Sequence, residues 1–127
     1  MAESLSRRQA DFTHAFARLV LYAESLGLKV KVQEWNRLES TQKEYVAAGK
    51  SKTMDSRHLD RLAVDLVLVL PDGQVLTSGE QFKTLGLYWE GLGGRWGGRF
   101  GLEHLTKADQ DRKLGWDSPH FEFRRNA

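Results

Sequence analysis

Leu62-Ala63-Val64-Asp65-Leu66-Val67-Leu68-Val69-Leu70, followed at once by Pro71-Asp72-Gly73, is the stretch that decides the fold. Its branched apolar side chains, its length and the turn residues that end it describe a central strand running into a hairpin. Asp65 is the anomaly. An ionised carboxylate in the middle of an apolar strand is costly unless something compensates for it. A salt bridge, a hydrogen bond to a cap and a metal ion all meet that need, and Asp65 alone does not choose among them.

Upstream of the strand, Leu5, Phe12, Phe16, Leu19, Val20 and Ala23 recur at three- and four-residue spacing, which predicts an amphipathic helix over Ser4 to Leu26. Gly27 suits a left-handed position just past its end, and Leu28 to Gln33 alternates apolar and polar residues as a half-buried strand does. Ser40 or Thr41 is placed to cap a short helix through Tyr45 that stops at Gly49. Downstream, Ser78 to about Leu92 reads as a second longer helix with Phe82, Leu85, Tyr88, Trp89 and Leu92 on one side. The glycine-rich Gly91 to Gly98 breaks it and reads as a loop with an aromatic anchor, and Pro119 to Arg124 as a last short strand. The expected class is α+β, with helices packed against one side of a small antiparallel sheet in a single domain over residues 1–127.

At 127 residues the chain is long enough to bury one core without staples. It has no cysteine, so disulfides are excluded and any metal must be held by nitrogen and oxygen ligands. No apolar run is long enough to span a bilayer, and Met1 to Arg8 lacks the features of a secretory signal, so synthesis without classical export is expected. The net charge of +2 mildly favours an anionic partner but does not select murein, a membrane surface or nucleic acid.

Donors for a metal are the four histidines and the carboxylates. His58 lies seven residues before Asp65, in Ser56-Arg57-His58-Leu59-Asp60-Arg61-Leu62-Ala63-Val64-Asp65, and His120 stands in Asp117-Ser118-Pro119-His120-Phe121-Glu122 on another strand. Two histidines and a carboxylate are a usual ligand set for a catalytic zinc, which keeps its fourth position open. Either histidine alone reads more readily as an ordinary surface or capped residue, since motif matches of this brevity arise easily.

Taken in order, serine, one residue, histidine, then alanine, one residue, aspartate, and far downstream aspartate, two residues, histidine resembles the zinc peptidases that include D-Ala-D-Ala carboxypeptidases and phage L-alanyl-D-glutamate endolysins. Glu34-Trp35-Asn36-Arg37 with Gln42 is similar to that family's arginine-then-glutamine segment, and Trp96-Gly97-Gly98-Arg99-Phe100 to its tryptophan-glycine-glycine stretch. The resemblance spans Glu34 to Phe123. It implies the D-Ala-D-Ala carboxypeptidase/hedgehog-like fold with zinc in a cleft at the sheet. It further implies His58, Asp65 and His120 as zinc ligands, Asp117 as general base and Arg37 facing the scissile carbonyl. The chain departs from the family where Asp60-Arg61-Leu62 stands in place of a segment that often holds glycine, and where Asp117 stands in place of a frequent glutamate. The second departure tilts the expected substrate towards the L-alanyl-D-glutamate bond of the peptidoglycan stem peptide.

What the resemblance implies is therefore a monomeric phage or prophage endolysin. It would collect in the cytoplasm of the infected bacterium and reach the wall once the membrane is permeabilised, with no nucleic-acid partner and no stable membrane insertion. The rivals are a D-Ala-D-Ala carboxypeptidase of the same fold and a non-catalytic, metal-containing wall-binding module. Among the remaining residues, the resemblance implies that Ser56 supports the ligand turn, and no Ser-His-acid arrangement marks it as a nucleophile; His14 and His104 receive no role. Glu122, two positions past His120, shares its side of a strand and either orients the imidazole or is an exposed or ion-paired glutamate. Trp96 and Trp116 are the better candidates for a substrate groove, and Arg95 and Arg99 are read as a solvated basic loop or as binders of substrate carboxylates or the anionic wall.

Overall fold

The computed structural model describes residues 4–35, 44, 46–49 and 60–124. Helix α1 (Leu5–Ser25) begins where the Ser4 hydroxyl accepts a hydrogen bond from the Arg7 amide, and it buries Phe12, Ala15, Leu19 and Ala23. It closes as the sequence predicts. Gly27 takes φ 79, the Gly27 amide donates to the Glu24 carbonyl, and the Leu28 amide donates to that of Ala23, both at 3.0 Å. That pair of bonds is the Schellman arrangement, which satisfies carbonyls the helix end leaves open.

Strand β1 (Lys29–Glu34) pairs antiparallel with β2 (Ala63–Val69). The expected alternation holds at Leu28 and Val30, which pack on the core, but Val32 is exposed, and beyond it a bulge between Val32 and Glu34 shifts the register. The turn at Pro71-Asp72-Gly73 makes the anticipated hairpin, with the Leu70 amide donating to the Gln74 carbonyl at 2.8 Å, and leads to the two-residue β3 (Val75–Leu76). The helix expected from Ser78 starts later. Gly79 has φ 123, outside helical geometry, and its amide donates to the Ser118 hydroxyl at 3.0 Å. A 3₁₀ turn over Glu80–Phe82 then opens into α2 (Lys83–Gly91), which buries Leu85, Gly86 and Trp89.

The glycine-rich stretch is more than a loop. Its Arg95–Trp96 forms strand β4, followed by a 3₁₀ turn over Gly97–Arg99, and the short helix α3 (Lys107–Asp111) precedes β5 (His120–Glu122). The sheet among the described residues runs β1-β2-β5-β4, with β3 also on β2, and each pairing is antiparallel. The short helix predicted from Ser40 or Thr41 through Tyr45 lies largely outside the described residues.

Phe12 of α1 sits at the centre of the core, its ring meeting those of Trp35, Trp89 and Phe123 edge-on at 5.6–5.7 Å. Tyr22 of α1 stacks on Tyr88 of α2 with centroids 4.1 Å apart. The period of two in a strand sends Val64, Leu66 and Leu68 of β2 and Phe121 of β5 into this core. The intervening side chains, Asp65 on β2 and His120 and Glu122 on β5, therefore share the opposite face. Asp65 thus avoids the apolar core while remaining within a strand that reads as uniformly apolar.

Candidate metal centre

In the β2–β5 register Asp65 stands directly across from His120. Directly opposed residues in an antiparallel pair have neighbouring side chains. Here His120 Nδ1 lies 2.9 Å from Asp65 Oδ1 and 3.8 Å from Asp117 Oδ2. Donor atoms of Asp65, Asp117 and His120 all fall within 4.8 Å of one another, an arrangement able to hold a metal ion. One nitrogen and carboxylate oxygens at a strand end fit zinc in donor chemistry. Of the residues singled out by the sequence, the structure brings together Asp65, Asp117 and His120; His58, Arg37 and Ser56 lie outside the described residues. His14 and His104 are exposed and take no part in the cluster.

Asp117 precedes the strand, so β alternation does not aim it. Its position comes from the Trp96-Gly97-Gly98 segment. The Asp117 amide donates to the Gly97 carbonyl at 3.2 Å, the Trp116 amide to that of Phe100 at 3.2 Å and the Gly115 amide to that of Gly98 at 2.6 Å. A Cβ on Gly97 would overlap the Asp117 carbonyl oxygen and crowd His120 Cβ. Only glycine lets the two backbones approach this closely. Gly97→Ala is expected to cost roughly 1–3 kcal/mol in urea unfolding, because it displaces Asp117 and His120 together.

The other wall of the imidazole is formed by Glu122, whose Oε1 lies 2.8 Å from His120 Nε2. Glu122 in turn accepts from Arg95 Nη1 at 3.3 Å across the β4–β5 pair. Of the two readings left open for Glu122, the structure realises both contacts: it touches the imidazole and it is ion-paired. Burial works against a charged His120, but the hydrogen bonds to Asp65 and Glu122 and the charges of Asp65 and Asp117 outweigh it and raise the imidazole from 6.5 to about 9. A folded value above the unfolded one means that the stabilisation is complete below pH 6.5, shrinks as pH rises, and is lost above about 9. Its full size is about 3 kcal/mol. Chelator-treated protein is expected to lose melting temperature across that window, and a flat profile would contradict the placement of the imidazolium. The same proton competes with a metal at Nδ1, so metal affinity rises with pH through the window.

Two sequence readings are corrected by this geometry. Arg99 is not part of a solvated loop: it is buried, 8% exposed, and donates from Nε and Nη2 to the two Glu90 oxygens at 3.0 Å and from Nη1 to Asp111 Oδ1 at 2.7 Å. It clamps α2 to α3. Glu90's hydrogen bonds hold the guanidinium above its ordinary value, and Arg99 holds the Asp111 carboxyl below its own. Trp96 presents almost no surface to a groove. It is 1% exposed, and its indole N–H donates to the Ser118 carbonyl at 2.7 Å, while that of Trp89 donates to the Glu122 carbonyl at 3.0 Å. Trp89 fastens β5 to the core, and Trp96 the segment that leads into it. Trp116, 63% exposed, lies beside Phe100, with ring centroids 5.6 Å apart.

The sequence departure at Asp60-Arg61-Leu62 also has a structural counterpart. Arg61 takes φ 57, the left-handed region that disfavours a residue with a Cβ by about 1–2 kcal/mol.

No family model matches the chain, and no curated protein sequence does. Among solved structures, the Serratia marcescens L-Ala D-Glu endopeptidase ChiX is similar over 98% of this chain and 89% of its own, with 24% identity and a TM-score of 0.63. The chain shares that endopeptidase's fold. The α+β architecture expected from the sequence is thereby borne out, with the donor cluster on the face of the sheet turned away from the main core. No helix among the described residues is long and apolar enough to cross a membrane.

Proposed function

We propose that the protein is a zinc-dependent peptidase that hydrolyses the peptidoglycan stem peptide at the L-alanyl-D-glutamate bond. The observation that carries the reading is the convergence of Asp65, Asp117 and His120 on one set of donor atoms. It is supported by the fold shared with an L-Ala D-Glu endopeptidase. In this reading Asp65 and His120 hold the metal together with His58, and Asp117 stays at its side as the base. The metal, when bound, supplies Lewis acidity towards the scissile carbonyl.

Asp117, held beside His120 by the Gly97 backbone, takes the proton of the attacking water and delivers it to the departing amine. Arg37 is assigned the oxyanion, where a guanidinium offsets charge as it develops. Exposed Trp116, packed on Phe100 next to the His120 ring, offers an aromatic surface for the peptide at the edge of the centre.

The test is mass spectrometry of murein fragments incubated with zinc-loaded protein and with chelated protein. Cutting of the stem after its first L-alanine by the loaded protein alone is the expected result. Release of a terminal D-alanine would move the assignment to a carboxypeptidase, and intact fragments despite bound zinc would overturn a catalytic role.

A further inference from the structure

Resting on the metal-peptidase reading, we propose that Glu122, backed by Arg95, is a positioning residue for His120, accepting its Nε2 proton so that Nδ1 turns its lone pair towards Asp65 and Asp117. A neutral imidazole carries one proton and offers one lone pair. His120 has a carboxylate on each side: Asp65 Oδ1 at 2.9 Å from Nδ1 and Glu122 Oε1 at 2.8 Å from Nε2. Were Nδ1 to keep the proton, the Nε2 lone pair would face a carboxylate oxygen and no metal bond would form at Nδ1. With the proton on Nε2, Glu122 accepts a hydrogen bond and the lone pair points into the donor cluster. A carboxylate on the far nitrogen fixes both tautomer and ring orientation of a metal-bound histidine.

Glu122 is itself buried, its side chain 9% exposed, and an uncompensated charge there would be unfavourable. Arg95 provides the compensation. The β4–β5 register sets it directly opposite Glu122, its Nη1 reaches Oε2 at 3.3 Å, and Oε1 is left for His120. The Arg95 guanidinium also lies 5.3 Å over the Phe100 ring, whose centroid is 5.5 Å from that of His120. The two glutamate oxygens therefore have separate duties, one for the imidazole and one for the cation that holds the carboxylate still.

Glu122→Gln separates this role from packing. A glutamine keeps the shape but can accept from Nε2–H or donate to an Nε2 lone pair, so it removes the tautomer preference. Zinc affinity, measured by competition with a chromophoric chelator, is expected to fall roughly 10- to 100-fold, with a changed visible spectrum of the cobalt(II)-substituted protein and near-native circular dichroism. Arg95→Ala is expected to give a smaller loss that Arg95→Lys partly restores. Because the Arg95 side chain is 39% exposed, these variants provide the test even if Glu122→Gln fails to fold. Affinities within twofold of wild type and unchanged cobalt spectra would overturn the proposal while leaving the peptidase reading intact. Failure of the wild-type protein to bind zinc would sink both.

Discussion

In the proposed peptidase, replacing Asp117 by asparagine is expected to lower the rate of stem-peptide cleavage by roughly 10²–10⁴-fold, the usual contribution of a positioned general base. Asparagine matches the size of the aspartate and leaves the backbone bond from residue 117 to the Gly97 carbonyl intact. It cannot take a proton from water at neutral pH. Folding and a full equivalent of zinc should therefore persist, because in the proposed centre Asp65, His120 and His58 hold the ion. Murein digestion followed by mass spectrometry, with zinc measured on the same samples, checks both halves. If the variant lost its zinc along with its activity, Asp117 would be a ligand, which its place in the 4.8 Å donor cluster also permits. If activity survived, the base would lie elsewhere.

His120→Ala is expected to have the largest effect on stability. The imidazolium lies between Asp65 and Glu122 and is 6% exposed. Deleting it leaves those carboxylates facing a small apolar side chain, and removing one member of a buried ion pair costs about 3–5 kcal/mol. In chelator-treated protein below pH 6.5, where the His120 charge contributes fully, the melting temperature should drop by roughly 10–20 °C. The variant should also fail to retain zinc. A loss of only a degree or two would mean that Asp65 and Glu122 do not depend on His120 for compensation. At pH above about 9 the difference between wild type and variant should narrow, since the wild-type imidazole has by then lost its charge.

Helix α1, its glycine-terminated end, the strand carrying Asp65 and the hairpin at Pro71-Asp72-Gly73 were all legible in the sequence. Each is written in contacts a few residues apart: a 3.6-residue period, a capping serine, a turn. The placing of Asp65 with Asp117 and His120 was anticipated from ordered motifs, and the two-residue period of β5 anticipated Glu122 on the same side as His120. The start of α2 was placed too early because the bond from Gly79 to Ser118 joins positions 39 residues apart and leaves no local signal. Strand β4 was missed for a related reason: two residues among glycines become a strand only when β5 is there to pair with them.

By itself the sequence determined the class of fold, the exclusion of disulfides and cysteine ligands, and the short list of side chains able to bind a metal, because periodicity, turn chemistry and residue type are local properties. Only the tertiary structure decided what surrounds those side chains. It buried Trp96 and turned Arg99 into a clamp between two helices. It also set Arg95 against Glu122, and Glu122 against His120. The physical reason is that a side chain's role depends on which charge or lone pair it meets, and those partners come from strands that lie together only after the chain has folded.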